Sequence, residues 1–112
     1  MTEIVFALPI VHGKEDLYHQ TWDELAGARR DEYAAAIKDA GMTRQAVWHQ
    51  QTPGGHTLAI VYIEATDPEA PQRFRSSDAD ISRWFVQRMQ EVYGRDFTHP
   101  ALPVELDHDF RV

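Results

Sequence analysis

The segment Arg44-Gln-Ala-Val-Trp-His-Gln-Gln-Thr-Pro-Gly-Gly-His-Thr-Leu-Ala-Ile-Val-Tyr-Ile-Glu64 reads as two strands folded back on each other. Thr52-Pro53-Gly54-Gly55-His56 is the turn, because glycine supplies the positive φ that a tight hairpin requires. The arms, about 43–51 and 57–64, carry strand-favouring residues: Val47 and Trp48 on one, Thr57, Ile60, Val61, Tyr62 and Ile63 on the other. Closure by a two- or four-residue loop around Gly54-Gly55 sets Gln45 opposite Glu64, Val47 opposite Tyr62, His49 opposite Ile60 and Gln51 opposite Leu58. That register leaves Arg44, Ala46, Trp48, Ala59, Val61 and Ile63 together on the other face, a largely apolar set suited to lie under the helices. The mixed face carries His49, Tyr62, Glu64, Gln45 and Val47. A three-residue loop would shift the pairing by one and mix the two sets, since side chains alternate with period two.

Outward from the hairpin, residues 3–11 form an apolar stretch rich in β-branched and aromatic residues, a strand whose ladder should stop at Pro9. About residues 14–40 are helical, with Tyr18, Trp22, Leu25, Tyr33, Ile37 and Ala40 on one stripe; Gly27 invites a bend and Gly41 ends the run. Thr66 to Gln72, with two prolines, reads as a loop. Ser76 or Ser77 should cap a second helix with Ile81, Trp84, Phe85, Arg88, Met89 and Val92 on its buried stripe, ended by Gly94. An extended connector through Pro100 and Pro103 leads to a last strand, about 104–111, alternating Val104, Leu106, His108 and Phe110 with charged residues. The order β-α-β-β-α-β predicts one α+β domain spanning 1–112. Its type is the ferredoxin-like split βαβ, a four-stranded antiparallel sheet with two helices on one face.

Composition narrows the function. The chain holds 11 Lys and Arg against 18 Asp and Glu, net −7, which disfavours nucleic acid and anionic membrane surfaces. With no cysteine, thiolate metal sites and cysteine nucleophiles are excluded. The longest apolar run, Ile4 to Val11, is far short of the ~20 residues a membrane span needs, and Glu3 sits where a signal peptide wants a positive charge. A soluble, cytoplasmic protein is the expectation.

Two helices hide one side of a sheet, yet the first strand and the second hairpin arm are apolar on both faces. Exposing a second row of large side chains would be expensive, at ~1.5–3 kcal/mol for each. The expectation is therefore a second subunit, packed sheet to sheet as a twofold homodimer, with the charged last strand at an edge.

The strand order and doubly apolar strands resemble the dimeric α+β barrel superfamily. The Trp48-His-Gln-Gln-Thr-Pro-Gly-Gly55 hairpin, the Tyr62-Ile-Glu64 strand end and Ser77-Asp-Ala-Asp-Ile-Ser-Arg-Trp-Phe85 leading to Gly94 resemble a small bacterial family within it. The resemblance spans nearly the whole chain and implies a sheet-to-sheet homodimer. It offers cofactor-independent monooxygenases, polyketide cyclases, isomerase-like enzymes, haem-dependent enzymes and stress-response proteins as possible activities. Fold alone does not choose among them.

His49 is the leading candidate for chemistry. Histidine, with an ordinary pKa near ~6.5, is the side chain most readily used as a base at neutral pH. Tyr62 could donate to a developing enolate or phenolate and Glu64 could orient or protonate. Each equally reads as an ordinary hairpin residue. His12, closing the first strand, is a second proton carrier or a loop histidine. Val47, Ile60, Gln45, Trp22 and His108 are candidate ligand contacts, and Tyr18 or Trp22 could close one mouth of a pocket. Glu15, His19 and Asp23 share a helical face, but one helix seldom completes a metal site, so the set reads as solvated. Arg29-Arg30-Asp31-Glu32 reads as surface ion pairs, and His56 and His99 as surface residues.

The function expected is a cofactor-independent enzyme acting on a small apolar, aromatic or polyketide-like molecule. Its pocket would lie between helices and sheet or inside the dimer barrel. A non-catalytic small-molecule-binding or stress-response protein is the alternative, and a haem- or metal-dependent enzyme the third reading. The partners expected are a second copy and a small apolar molecule.

Overall fold

A computed structural model describes residues 1–98 and 102–112. It contains seven elements: β1 (Thr2–Ile10), α1 (Glu15–Ala26), α2 (Arg30–Asp39), β2 (Met42–Gln51), β3 (Thr57–Ala65), α3 (Ala70–Arg75) and α4 (Asp80–Tyr93). The fold is α+β. The three strands form an antiparallel sheet in the order β1-β3-β2. Ile4, Phe6, Leu8 and Ile10 of β1 and Ala59, Val61, Ile63 and Ala65 of β3 are buried on one face, as period-two alternation requires. All four helices pack there, and a ring cluster of Trp22, Tyr33, Phe74 and Phe85 joins them at centroid separations of 5.1–6.3 Å.

The long helical stretch is two helices. It breaks at Gly27, where the Arg29 N–H turns back to the Glu24 carbonyl at 2.8 Å. Tyr18, Leu25, Tyr33 and Ala40 from the expected stripe are buried. The loop expected at Thr66 to Gln72 instead runs into α3, with Pro71 in the first turn where a missing N–H costs nothing. Helix α4 has no side-chain cap; the Ser77 hydroxyl accepts from the Ala79 N–H just before it. Gly94, at φ 62, closes it.

The hairpin corrects the expected register. Its loop has three residues, Pro53-Gly54-Gly55, with the Gly55 N–H donating to the Thr52 carbonyl at 3.0 Å and the Thr52 N–H to the His56 carbonyl at 2.8 Å. Gly55 adopts φ +80, so the tight turn is absorbed by a glycine in the left-handed region and the strands resume one residue out of the expected pairing. Val47 therefore lies opposite Val61, Trp48 opposite Ile60 and His49 opposite Ala59. Gln45, Val47 and His49 join the helix side. Trp48 turns to the open face, where it is 53% exposed. A further irregularity between Met42 and Arg44 shifts the start of β2.

The expected last strand is not shown among the described residues. Residues 102–112 form no regular secondary structure and are exposed. Their recorded tie to the sheet is the Val104 N–H on the Val5 carbonyl, at 2.6 Å beside the outer edge of β1. The alternating pattern is real, but Leu106 and Phe110 are 78% and 81% exposed. The expected surface positions of His99 and Pro100 lie outside the described residues. No helix among those described is long and apolar enough to cross a membrane.

Candidate functional site

The register decides which side of β2 faces what. Because β2 is an edge strand and the helix pair bends at Gly27, α1 and α2 do not close fully over it. A cleft of about 510 Å³ remains between them. Gln45 and Val47 form its strand side, and the rings of Tyr18, Trp22 and Tyr33 line its helix side. His19 of α1, His49 of β2 and Arg30 at the start of α2 stand around it. The two imidazoles meet edge to face with centroids 4.8 Å apart.

The polar groups have defined partners. The Tyr33 hydroxyl donates to Gln45 Oε1. That bond occupies the acceptor of the amide and leaves the Gln45 NH₂ as a donor in the cleft. The Tyr18 hydroxyl donates to the Trp48 carbonyl at 3.3 Å. Burial pushes the Tyr18 phenol up to about 12, an effect the neighbouring Trp22 indole N–H partly offsets. Burial likewise raises Tyr33, with the Gln45 hydrogen bond opposing it. Both phenols are therefore neutral at physiological pH and act as hydrogen-bonding walls, not as bases. The Trp22 indole N–H is buried and, although close to the Tyr18 oxygen, makes no hydrogen bond of normal geometry.

Behind the cleft, Trp22, Tyr33 and Gln45 also border a smaller space of about 30 Å³ among Phe85, Met89 and other core residues. That volume suits about two water-sized spheres and no organic ligand. Of these two adjoining spaces, the outer cleft is the one with room for an organic molecule.

Of the residues singled out by sequence, the structure brings His49, Gln45, Val47 and Trp22 into this cleft. Tyr62, Glu64 and Ile60 stand on the opposite face of the sheet. There the Tyr62 hydroxyl donates to Glu64 at 2.9 Å and Glu3 at 3.1 Å, and Arg44 pairs with Glu64 at 3.2 Å. These two carboxylates, Glu64 first, raise the Tyr62 phenol to about 12. His12 is an exposed residue of the turn after β1, and His108 lies on the exposed tail with its ring 3.9 Å from that of Phe110. Neither approaches the cleft. Sequence reasoning assigned Tyr33 to the core, His19 to a solvated helical face and Arg30 to surface ion pairs. The break at Gly27 was the one available signal that this surface turns toward β2.

Among the described residues, no three His, Asp or Glu side chains gather as a metal-binding set. The chain matches no family model, no curated protein and no solved structure.

Proposed function

We propose that this chain is a small-molecule enzyme of the cofactor-independent type found in dimeric α+β barrels, working in the cleft between α1, α2 and β2. The observation that carries the reading is the cleft itself. It is large enough for a small organic molecule, walled by aromatic rings and furnished with a few polar groups at one side, as ligand sites typically are. In this reading His49 takes a proton from an acidic carbon or hydroxyl of a flat aromatic or polyketide-like substrate. The Gln45 amide donates to the oxygen on which charge then develops, while the Trp22 ring packs against the substrate. Stabilising that oxyanion with donors already in place is the stronger contribution.

A second copy covering the open sheet face belongs to the same proposal. Val5, Leu58, Ile60 and Trp48 sit on the side no helix covers. The tail, left without a place here, is a candidate fourth strand once that face is paired. A binding protein without turnover is the second reading, favoured by one feature: His49 makes no hydrogen bond among the described residues that would orient it as a base.

The test is hydrogen–deuterium exchange at the acidic carbon of an anthrone-type phenol, with nuclear magnetic resonance mapping of the bound ligand. The enzyme reading expects shifts at the Trp22 indole and Gln45 amide, with catalysed exchange lost in His49→Ala. Shifts without exchange select the binding reading. Shifts confined to Val5, Ile60 and Tyr62 would move the site to the other face and end both.

A further inference from the structure

The lining of the cleft departs from the rest of the chain in its charge. The protein has 18 Asp and Glu and a net charge of −7, yet among the described residues no carboxylate lines this space. The polar residues of its lining, besides the two committed tyrosines, are Arg30, His19, His49 and Gln45. The amide has its oxygen committed to Tyr33, and the Tyr18 hydroxyl is committed to the Trp48 carbonyl. Beyond the two imidazoles, each a donor and an acceptor when neutral, what the cleft still offers is the Gln45 NH₂ and one permanent positive charge. The remaining surface is aromatic and aliphatic.

We infer that the cleft selects a planar aromatic molecule bearing an anionic oxygen, held with its ring between the aromatic walls and its anion toward Arg30. This rests on the cleft being the ligand site and goes further by naming the ligand's charge. A neutral aromatic would meet the same walls but bring no charge to Arg30, and a cation would face Arg30 directly. Arg30 is free to turn: its side chain is 73% exposed and its recorded ion pair, with the fully exposed Asp31, is a loose 3.8 Å. Such a pair contributes little and yields readily to a better-placed anion. Guanidinium suits that role because its planar fork matches a carboxylate and stacks on rings.

The experiment compares three isosteric probes by titration calorimetry: naphthoate, its methyl ester, and naphthylmethylammonium. Naphthoate should bind about tenfold tighter than the ester, the difference a single charge-assisted contact supplies, with the ammonium weakest. The margin should shrink in high salt, since Arg30 is near solvent. Arg30→Gln should abolish the margin while leaving ester affinity within about twofold, and Arg83→Gln on α4 should leave both unchanged. Equal binding of the three probes, or a margin that survives Arg30→Gln, overturns the anion preference while the cleft stands as the site. Failure of all three to bind overturns the cleft as well.

Discussion

Replacing Tyr33 by phenylalanine isolates one hydrogen bond and one buried phenol, and the two respond to pH in opposite ways. Tyr33 is 7% exposed, and its hydroxyl donates to Gln45 Oε1 on the wall of the cleft. At about pH 8, Tyr33→Phe leaves that part-buried oxygen without its donor, and the variant should be less stable by about 1–1.5 kcal/mol. In the unfolded chain a tyrosine ionises near ~10, whereas burial holds the folded Tyr33 phenol higher. A folded pKa above the unfolded one means stability fully present below the unfolded value and lost as pH rises toward the folded one. At about pH 11 the wild-type chain has therefore lost about 1.4 kcal/mol from this position, and the variant has lost nothing there. Tyr18 and Tyr93, which burial also raises, are common to both proteins and cancel in the comparison. Urea unfolding followed by far-ultraviolet circular dichroism at the two pH values should show the gap closing to about zero at the alkaline one. A gap that does not move with pH would refute the buried, neutral phenol. No gap at the lower pH would refute the hydrogen bond that frees the Gln45 amide for a ligand.

Three further outcomes follow from particular residues. Gly55→Ala should cost about 1–2 kcal/mol in thermal unfolding through its positive φ alone, because a Cβ there meets nothing within 4 Å. An unchanged melting temperature would mean the turn is not the three-residue one that sets the register. Asp67, bonded to Arg73 at 2.6 Å, should titrate at about 2 in nuclear magnetic resonance, because the Arg73 hydrogen bond favours its ionised form. Its folded pKa lies below the unfolded one, so the stabilisation is present above about pH 4 and lost as pH falls through the folded value; in Arg73→Gln the titration should return toward the ordinary carboxylate range. Ile60→Lys on the open face should leave folding intact, since Ile60 is only half-buried. It should also convert a wild-type dimer to monomer in sedimentation velocity, and a wild-type monomer at working concentrations would remove the proposed second copy.

The elements that depend on local chemistry were legible before any coordinates. The β1 strand, the hairpin arms, the helical stripe through Tyr18 and Tyr33, the break at Gly27 and the stop at Gly94 all follow from side-chain periodicity or backbone freedom, properties of neighbours along the chain. Half of the cleft was legible too: Trp22, Gln45, Val47 and His49 were picked for ligand contact, although Gln45 and His49 were placed beside Tyr62 and Glu64.

Tertiary structure decided the rest, and for a definable reason. The number of residues in the Pro53-Gly54-Gly55 loop is a global choice, because every loop length leaves some plausible set of β2 side chains facing inward. Grouping the apolar set with Trp48 was the natural guess. The helices instead supply their own large rings, Trp22, Tyr33 and Phe85, and leave no need for Trp48 beneath them. Once the pairing moves by one residue, His49 leaves Tyr62 for His19, and Arg30 turns from a surface ion pair into a wall of the cleft. The tail shows the same division. Its alternation is written in residues 104–111, but alternation does not choose a pairing edge, and here the tail meets the edge of β1 through the Val104 N–H on the Val5 carbonyl without forming a regular strand. Composition and periodicity determined which segments could be strands and helices. Which of their faces met, and hence where a ligand could sit, waited on the long-range packing that sets register.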